Sequence, residues 1–434
     1  YLGTLQVGAV YVPLNTAYTA AEVDYFVSNA RPVVLVSDPA SAEALQEVCR
    51  QRSVASHISL ASSSWQQMPP ALLEVEPDWS VCQRSSDDLA AFLYTSGTTG
   101  RSKGAMLSHG NLLSNAHSLA DLWRFDADDC LLHALPIFHI HGLFVALHCA
   151  LLSACRVQFI PAFEPVAVRR ALAKGTSVMM GVPTFYTRLL EQADFGSSEV
   201  AGVRLFISGS APMTQQVHQQ WRERTGHSIL ERYGMTEAGM IASNPYDGDR
   251  MPGTVGFALP GVELRIADAD GNELPPGETG SIEIRSPGLF RGYWQMPEKT
   301  AEDMRPDGFF ITGDLGSMDA QGRLSITGRS KDLVISGGYN IYPKEIELLI
   351  DQLPGVTESA VIGVPHPDLG EAVVAVVVGK NPPAGQELLE RISPELARFK
   401  QPRKVVFQDS LPRNSMGKVQ KNQLREAYRG LFKA

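Results

Sequence analysis

Long apolar runs are missing from this chain of 434 residues: none approaches the roughly 18 consecutive apolar residues a membrane-spanning helix needs, so no membrane-spanning helix is expected. Cysteine is scarce. The five present (Cys49, Cys82, Cys130, Cys149, Cys155) form no C-x-x-C pair and leave an odd count, which argues against a disulfide framework and for a reducing, cytoplasmic location. Positive charge is also in deficit, with 38 Lys and Arg against 47 Asp and Glu for a net charge of −9. The basic residues are dispersed, which argues against nucleic acid as the main partner. There is no internal repeat and no low-complexity tract, although "NPPAGQ" at 381–386 reads as a surface turn. The opening "YLGTLQVGAVYVPLNTAYT" has neither an initiator Met nor a signal-peptide pattern, which reads as a first domain whose start is cut off.

What remains is a large globular chain, long enough for about two to three domains. Short apolar runs alternate with helical patterns through its first two thirds: "PVVLVSD", "LAAFLYTSG", "CRVQFI", "VMMGVP" and "VRLFISGS" read as strands, with helices such as "AAEVDYFVSNA" between them. That alternation predicts an α/β fold with largely parallel sheets. From about Gly253 to Ile326 the pattern changes to short strands broken by turns, as in "VELRIADADGNELPPGETGSIEIRS", which predicts antiparallel hairpins in a β-rich subdomain. A small α+β unit with a basic tail follows. The expected domains are therefore 1–329 and 330–434.

The densest chemical signal is "LAAFLYTSGTTGRSKGAMLSH". Between Leu89–Tyr94, read as a buried strand, and the run after Gly104, read as a helix start, lie Thr95, Ser96, Gly97, Thr98, Thr99, Gly100, Ser102 and Lys103. Glycines let backbone N–H groups approach a ligand closely, and hydroxyls and a lysine add donors. Such a loop suits phosphate. It is not a Walker loop, because Lys103 is followed by Gly104 and the G-x-x-x-x-G-K-[ST] spacing fails.

Four further stretches follow in order: "RLFISGSAPM" (204–213), "LERYGMTEAGM" (230–240), "FFITGDLGSMDAQGRLSITGRSKDLVISGGYN" (309–340) and "LPRNSMGKVQK" (411–421). Together with the loop they resemble the adenylate-forming superfamily of acyl-CoA synthetases, luciferases and peptide-synthetase adenylation domains. The resemblance implies that fold, with a large N-terminal domain and a small mobile C-terminal one. It also implies two reactions. A carboxylate attacks the α-phosphate of ATP to give an acyl adenylate and pyrophosphate, and the thiol of coenzyme A then takes the acyl group. By the same resemblance Glu237 holds Mg²⁺, Tyr233 stacks on adenine where Gly209 and Ala211 leave room, and Glu231, Gly234 and Thr236 complete that side of the ATP site. Asp314 and Arg329 contact the ribose. Lys418 is the catalytic lysine over the α-phosphate, Lys331 is the hinge of the small domain, and Gly337 and Gly338 line the thiol's tunnel.

For the acid, peptide-synthetase domains place an Asp for the substrate ammonium in the stretch that here reads "ALPIFHIHGLF". His139 stands at about that position, which disfavours an amino acid and adds His139 to the catalytic candidates. On "MMGVPTFYTRLLEQ", read as the helix walling the acyl pocket, Arg188 asks for a second carboxylate, since a buried dianion needs a fixed partner and an arginine fork binds carboxylate through two parallel bonds. Ser208 or Ser210 would complete that clamp, and Arg250 in "DGDRMPG" is a second candidate. These stretches resemble the malonate–CoA ligase branch. Surface pairing of Arg188 with Glu191 or Glu199 is the alternative for that residue, and core packing the alternative for His139 and His141. For the whole chain the alternatives are a ligase for another short-chain acid and a nucleotide-binding relative without catalysis. The last is disfavoured because Lys103, Glu237, Asp314, Arg329 and Lys418 are all present.

Overall fold

The computed structural model describes residues 1–60, 76, 78–95, 102–337, 339–414 and 417–432. Ser96, Gly97, Thr98, Thr99, Gly100 and Gly338 lie outside the described residues. The chain divides into two compact units: Tyr1–Gly110 with Ile137–His139 and Phe290–Pro297, and Asn111–Pro136 with Ile140–Leu289 and Glu298–Ala434.

In the first unit, helix Ala20–Ala30 starts at a capping box in which Thr19 and Glu22 satisfy each other's backbone N–H groups, and it buries Val23, Phe26 and Val27 on one stripe. Strands β1 (Val34–Ser37) and β2 (Ser56–Ser59) pair in parallel. The unit's other sheet pairs β3 (Leu89–Thr95) with β4 (Lys103–Ser108), antiparallel, from Leu89↔Ser108 to Thr95↔Lys103. This corrects the expectation of a strand-to-helix turn: the phosphate-type loop closes a hairpin, and the helix begins only at His109. The run "KGAMLS" is too short to separate a buried strand from a buried helix by period. Partners on both sides decide it. On its far side β4 exchanges backbone bonds with 291–294: Met106 N–H to Gly292 O at 3.0 Å, Arg291 N–H to Met106 O at 2.8 Å and Trp294 N–H to Gly104 O at 2.8 Å.

The second unit carries a seven-stranded sheet built from β5 (Cys130–His133), β6 (Arg156–Phe159), β7 (Val178–Gly181), β8 (Leu205–Ser208), β9 (Leu230–Met235), β10 (Gly239–Ser243) and β11 (Phe257–Ala258). Their order is β11-β10-β9-β8-β7-β5-β6. It is parallel from β6 to β9 and turns antiparallel through β9, β10 and β11. Trp123, Trp221, Tyr186 and Phe206 fill the core against it. The expected antiparallel subdomain follows as β12 (Glu263–Ala267), β13 (Gly280–Arg285), β14 (Phe310–Met318) and β15 (Leu324–Arg329).

A last sheet combines β16 (Val334–Ser336), β17 (Tyr339–Ile341), β18 (Val356–His366), β19 (Gly370–Gly379) and β20 (Lys404–Phe407). The two long strands bury alternate residues on opposite faces: Val361, Val373 and Ala375 in one apolar cluster, and Ile362, Val374 and Val376 in another with Leu411 and Leu424. Position 329/330 falls between the four-stranded and five-stranded sheets. All five cysteines are free. Among the described residues, no helix is long and apolar enough to cross a membrane.

Candidate active site

In the second unit the antiparallel ladder places Asp314 directly opposite Arg329. The Arg329 guanidinium stands 3.1 Å from Asp314 Oδ1, and the buried Tyr233 hydroxyl donates to Asp314 Oδ2 at 2.6 Å. The Asp314 N–H is held by Thr312 Oγ1 at 3.1 Å. Burial and the Asp314 carboxylate push the Tyr233 phenol well above its ordinary value, so it stays a neutral donor. Three residues from two separate motifs thus converge, and each Asp314 oxygen keeps a lone pair for a further donor.

Lys418 comes to the same neighbourhood. Burial, with the Arg329 charge second, lowers its ammonium from 10.5 to about 8, while Asp314 pulls the other way. Lys331, in the short 3₁₀ turn Ser330–Asp332, has its ammonium lowered by partial desolvation and then by the Arg329 charge. Gly337 takes φ +58, and among the described residues only the Leu369 side chain comes within 4 Å of where a Cβ on it would stand.

The ends of β8 and β9 hold a constellation that the sequence motifs announce only in part. Ser208 Oγ is buried with no hydrogen-bond partner among the described residues. Ser210, at φ +68, shares a hydrogen bond with His141 Nδ1 at 3.2 Å. Arg232, on β9 beside them, is 3 % exposed, and its Nε and Nη2 have no hydrogen-bond partner among the described residues. Burial lowers that guanidinium to about 9, which still leaves it charged near neutrality. A Cβ on Gly209 would fall 2.4 Å from the Arg232 Cζ, so Arg232 packs closely against this glycine.

The other acid-binding candidates fare differently. Arg188, in the last turn of helix Pro183–Leu190, is exposed rather than buried. Glu199, one of its alternative partners, is paired with Arg169. Arg250 spends Nε, Nη1 and Nη2 on the carbonyls of Pro245, Ser228 and Tyr246 at 3.3, 2.7 and 2.8 Å, which makes it the clamp of its own loop. Glu231 accepts from His218 Nε2 at 2.7 Å and from the Met213 N–H at 3.4 Å, so its carboxylate is committed to the protein. Ala211 is half-buried beside Pro212.

Glu237 is buried in the Thr236–Ala238 turn of the β9–β10 hairpin. The crowding at Gly234, where a Cβ would lie 2.3 Å from Gly239 O, keeps this hairpin tight. Asn115 clamps it through Nδ2 to Met240 O at 2.9 Å and Oδ1 from Met240 N–H at 3.0 Å. No group of three or more His, Cys, Asp or Glu suited to a metal occurs among the described residues. One carboxylate beside a triphosphate nevertheless fits Mg²⁺, which is commonly held by one or two carboxylates with phosphate oxygens and water completing the shell.

In the first unit, Thr95 and Lys103 face each other across the mouth of the hairpin. Lys103 is 9 % exposed, and its Nζ lies 3.9 Å from the centre of the Tyr293 ring, a cation–π contact. The Tyr25 hydroxyl donates to Ser102 O at 2.7 Å and anchors the exit of the loop. His139, half-buried, belongs to this unit.

Known proteins are similar to this chain in sequence and fold. A family model described as "AMP-binding enzyme" matches residues 1–294, and one described as "AMP-binding enzyme C-terminal domain" matches 345–418. A malonate–CoA ligase of Arabidopsis thaliana is 34 % identical, covering 98 % of this chain and 75 % of its own. A feruloyl-CoA synthase of Amycolatopsis is 35 % identical, covering 99 % and 86 %. Among solved structures, ATP-bound MatB from Rhodopseudomonas palustris is 52 % identical with a TM-score of 0.96, covering all of this chain and 86 % of that one.

Proposed function

Because this chain belongs to the AMP-binding enzyme family, we propose that it is an ATP-dependent malonate–CoA ligase working through an acyl adenylate. One malonate carboxylate attacks the α-phosphate of ATP, the bond to the β-phosphate oxygen breaks, and pyrophosphate leaves. The coenzyme A thiol then attacks the mixed anhydride and AMP departs. The observation that carries the choice of acid is Arg232: a charged guanidinium buried beside Ser208 with two nitrogens unpartnered among the described residues. A buried charge without a partner is costly, so such a group is held for an anionic ligand. A malonate has a second carboxylate to offer, whereas a feruloyl or fatty acyl end does not.

In this reading Arg232 receives the distal carboxylate, with Ser208 and Ser210 as hydroxyl donors. Lys418 offsets the charge that grows on the α-phosphate during transfer. Asp314 and Arg329 hold the ribose, and Tyr233 flanks the base. Glu237 would hold Mg²⁺, which when bound neutralises phosphate charge that would repel the attacking carboxylate. Lys103 and the loop 95–100 bind the terminal phosphates, and His139 remains a catalytic candidate. Lys331 is the pivot of residues 330–434, and Gly337 and Gly338 leave width for the pantetheine arm. Product stoichiometry tests this reading: one AMP and one pyrophosphate are expected per malonyl-CoA formed, and ADP with inorganic phosphate instead would contradict it.

A further inference from the structure

Lys418 carries its charge on a flexible four-carbon stem, so its reach is defined only if its backbone is held. The residues that hold it lie outside the nucleotide site. Residues 411–414 and 417–421 fold against each other: Arg413 bridges Val419, Asn414 N–H donates to Lys418 O at 3.0 Å, and Lys418 N–H donates to Asn414 Oδ1 at 2.9 Å. The two ends of this fold-back are tied to carboxylates of neighbouring elements. At one end the Arg413 guanidinium pairs with Glu358 on β18 and also donates to Gly417 O. At the other, Lys421 Nζ lies 2.5 Å from Glu347 Oε1 on helix Pro343–Ile350. Glu347 is 6 % exposed. It also accepts the Val361 N–H at 2.9 Å and stands 3.9 Å from Lys344 Nζ.

We infer that Glu347–Lys421 and Glu358–Arg413 form a two-ended brace that positions Lys418, so that Lys421 and Arg413 are positioning residues for adenylate formation. The inference rests on the reading of Lys418 as the lysine of that first step. One arginine or lysine in an exposed tail would be ordinary surface chemistry. Here both flanks of one turn end on ion pairs, and one acceptor is a buried carboxylate on a helix, where an ion pair holds geometry rather than adding net stability. A turn released at either end keeps its lysine but loses its aim, and a displacement of about 1 Å in a reacting group can cost about 10²-fold in rate.

The experiment measures both half-reactions in the full chain: pyrophosphate release with malonate and ATP, and thioester formation from synthetic malonyl adenylate with coenzyme A. Lys421→Met is expected to slow the first by about 10²-fold and leave the second unchanged, while Lys421→Arg, which keeps the ion pair, restores the first. Glu358→Gln, which weakens the other end, is expected to lower the first step in the same selective way. Lys418→Ala is the reference. If it lowers both half-reactions equally, the reading of Lys418 fails and the brace fails with it. If Lys418→Ala is selective but Lys421→Met slows both steps or neither, the ion pairs serve the small domain's fold and the inference is overturned.

Discussion

At Lys418 burial and a neighbouring guanidinium act together on one ammonium, bringing it from 10.5 down to about 8. The charged form, which offsets phosphate charge, is therefore complete well below pH 8 in the free enzyme and is lost as pH rises through that value. Since kcat/KM reports free-enzyme groups, kcat/KM for adenylation should fall about tenfold per pH unit above 8. Lys418→Arg, whose guanidinium does not titrate there, should give a lower but flat profile. A wild-type profile flat to pH 10 would remove Lys418 from the step. Arg232 shows the opposite side of residue-scale legibility. It stands inside "ILERYGM", a strand of a sheet covered on both faces, and a charge there is the signal the sequence offers. The motif around it points to Tyr233 and Glu237 instead. Arg250 and Arg188 look equally cationic in the sequence, but only packing reveals that the first is saturated by carbonyls and the second exposed.

Elements are more legible than contacts. Helix Ala20–Ala30 follows its sequence pattern residue for residue because cap and stripe agree, and the antiparallel hairpins of β12 to β15 follow their turn residues. The β3–β4 hairpin escapes a reading of the sequence because a six-residue run is too short to show a period of its own. The segment His141–Leu147 escapes it too: it winds as a π-helix, a form that sequence periodicity does not announce and that gathers at functional sites. Its entry depends on Gly142, where a Cβ would lie 2.2 Å from the Pro136 carbonyl oxygen. Backbone cannot swing aside as a side chain can. Gly142→Ala should therefore cost about 1–3 kcal/mol in urea unfolding and displace His141 from Ser210. Unchanged stability would mean that the winding tolerates a side chain there.

Across the whole molecule charge is paradoxical, because a protein of net charge −9 is assigned three anionic substrates. Bulk electrostatics does not attract them. Local cations must, and the second unit supplies Arg232, Arg188, Arg329 and Lys418 while the first supplies Lys103. The architecture is readable at this scale, since alternating strands and helices, then hairpins, then a small mixed sheet each leave a distinct period in the sequence. The choice of acid is not, because it turns on which of several arginines is buried and unpartnered. The most direct measurement is kcat/KM for malonate and for butyrate, by coenzyme A-dependent AMP release, in the wild type and in Arg232→Met. The account expects the wild type to favour malonate strongly. In Arg232→Met, malonate should lose on the order of 3–5 kcal/mol of transition-state stabilisation, the penalty for stranding one buried charge of a pair, while butyrate is unaffected or improved. Equal use of both acids by the wild type, or an equal fall for both in Arg232→Met, would contradict it.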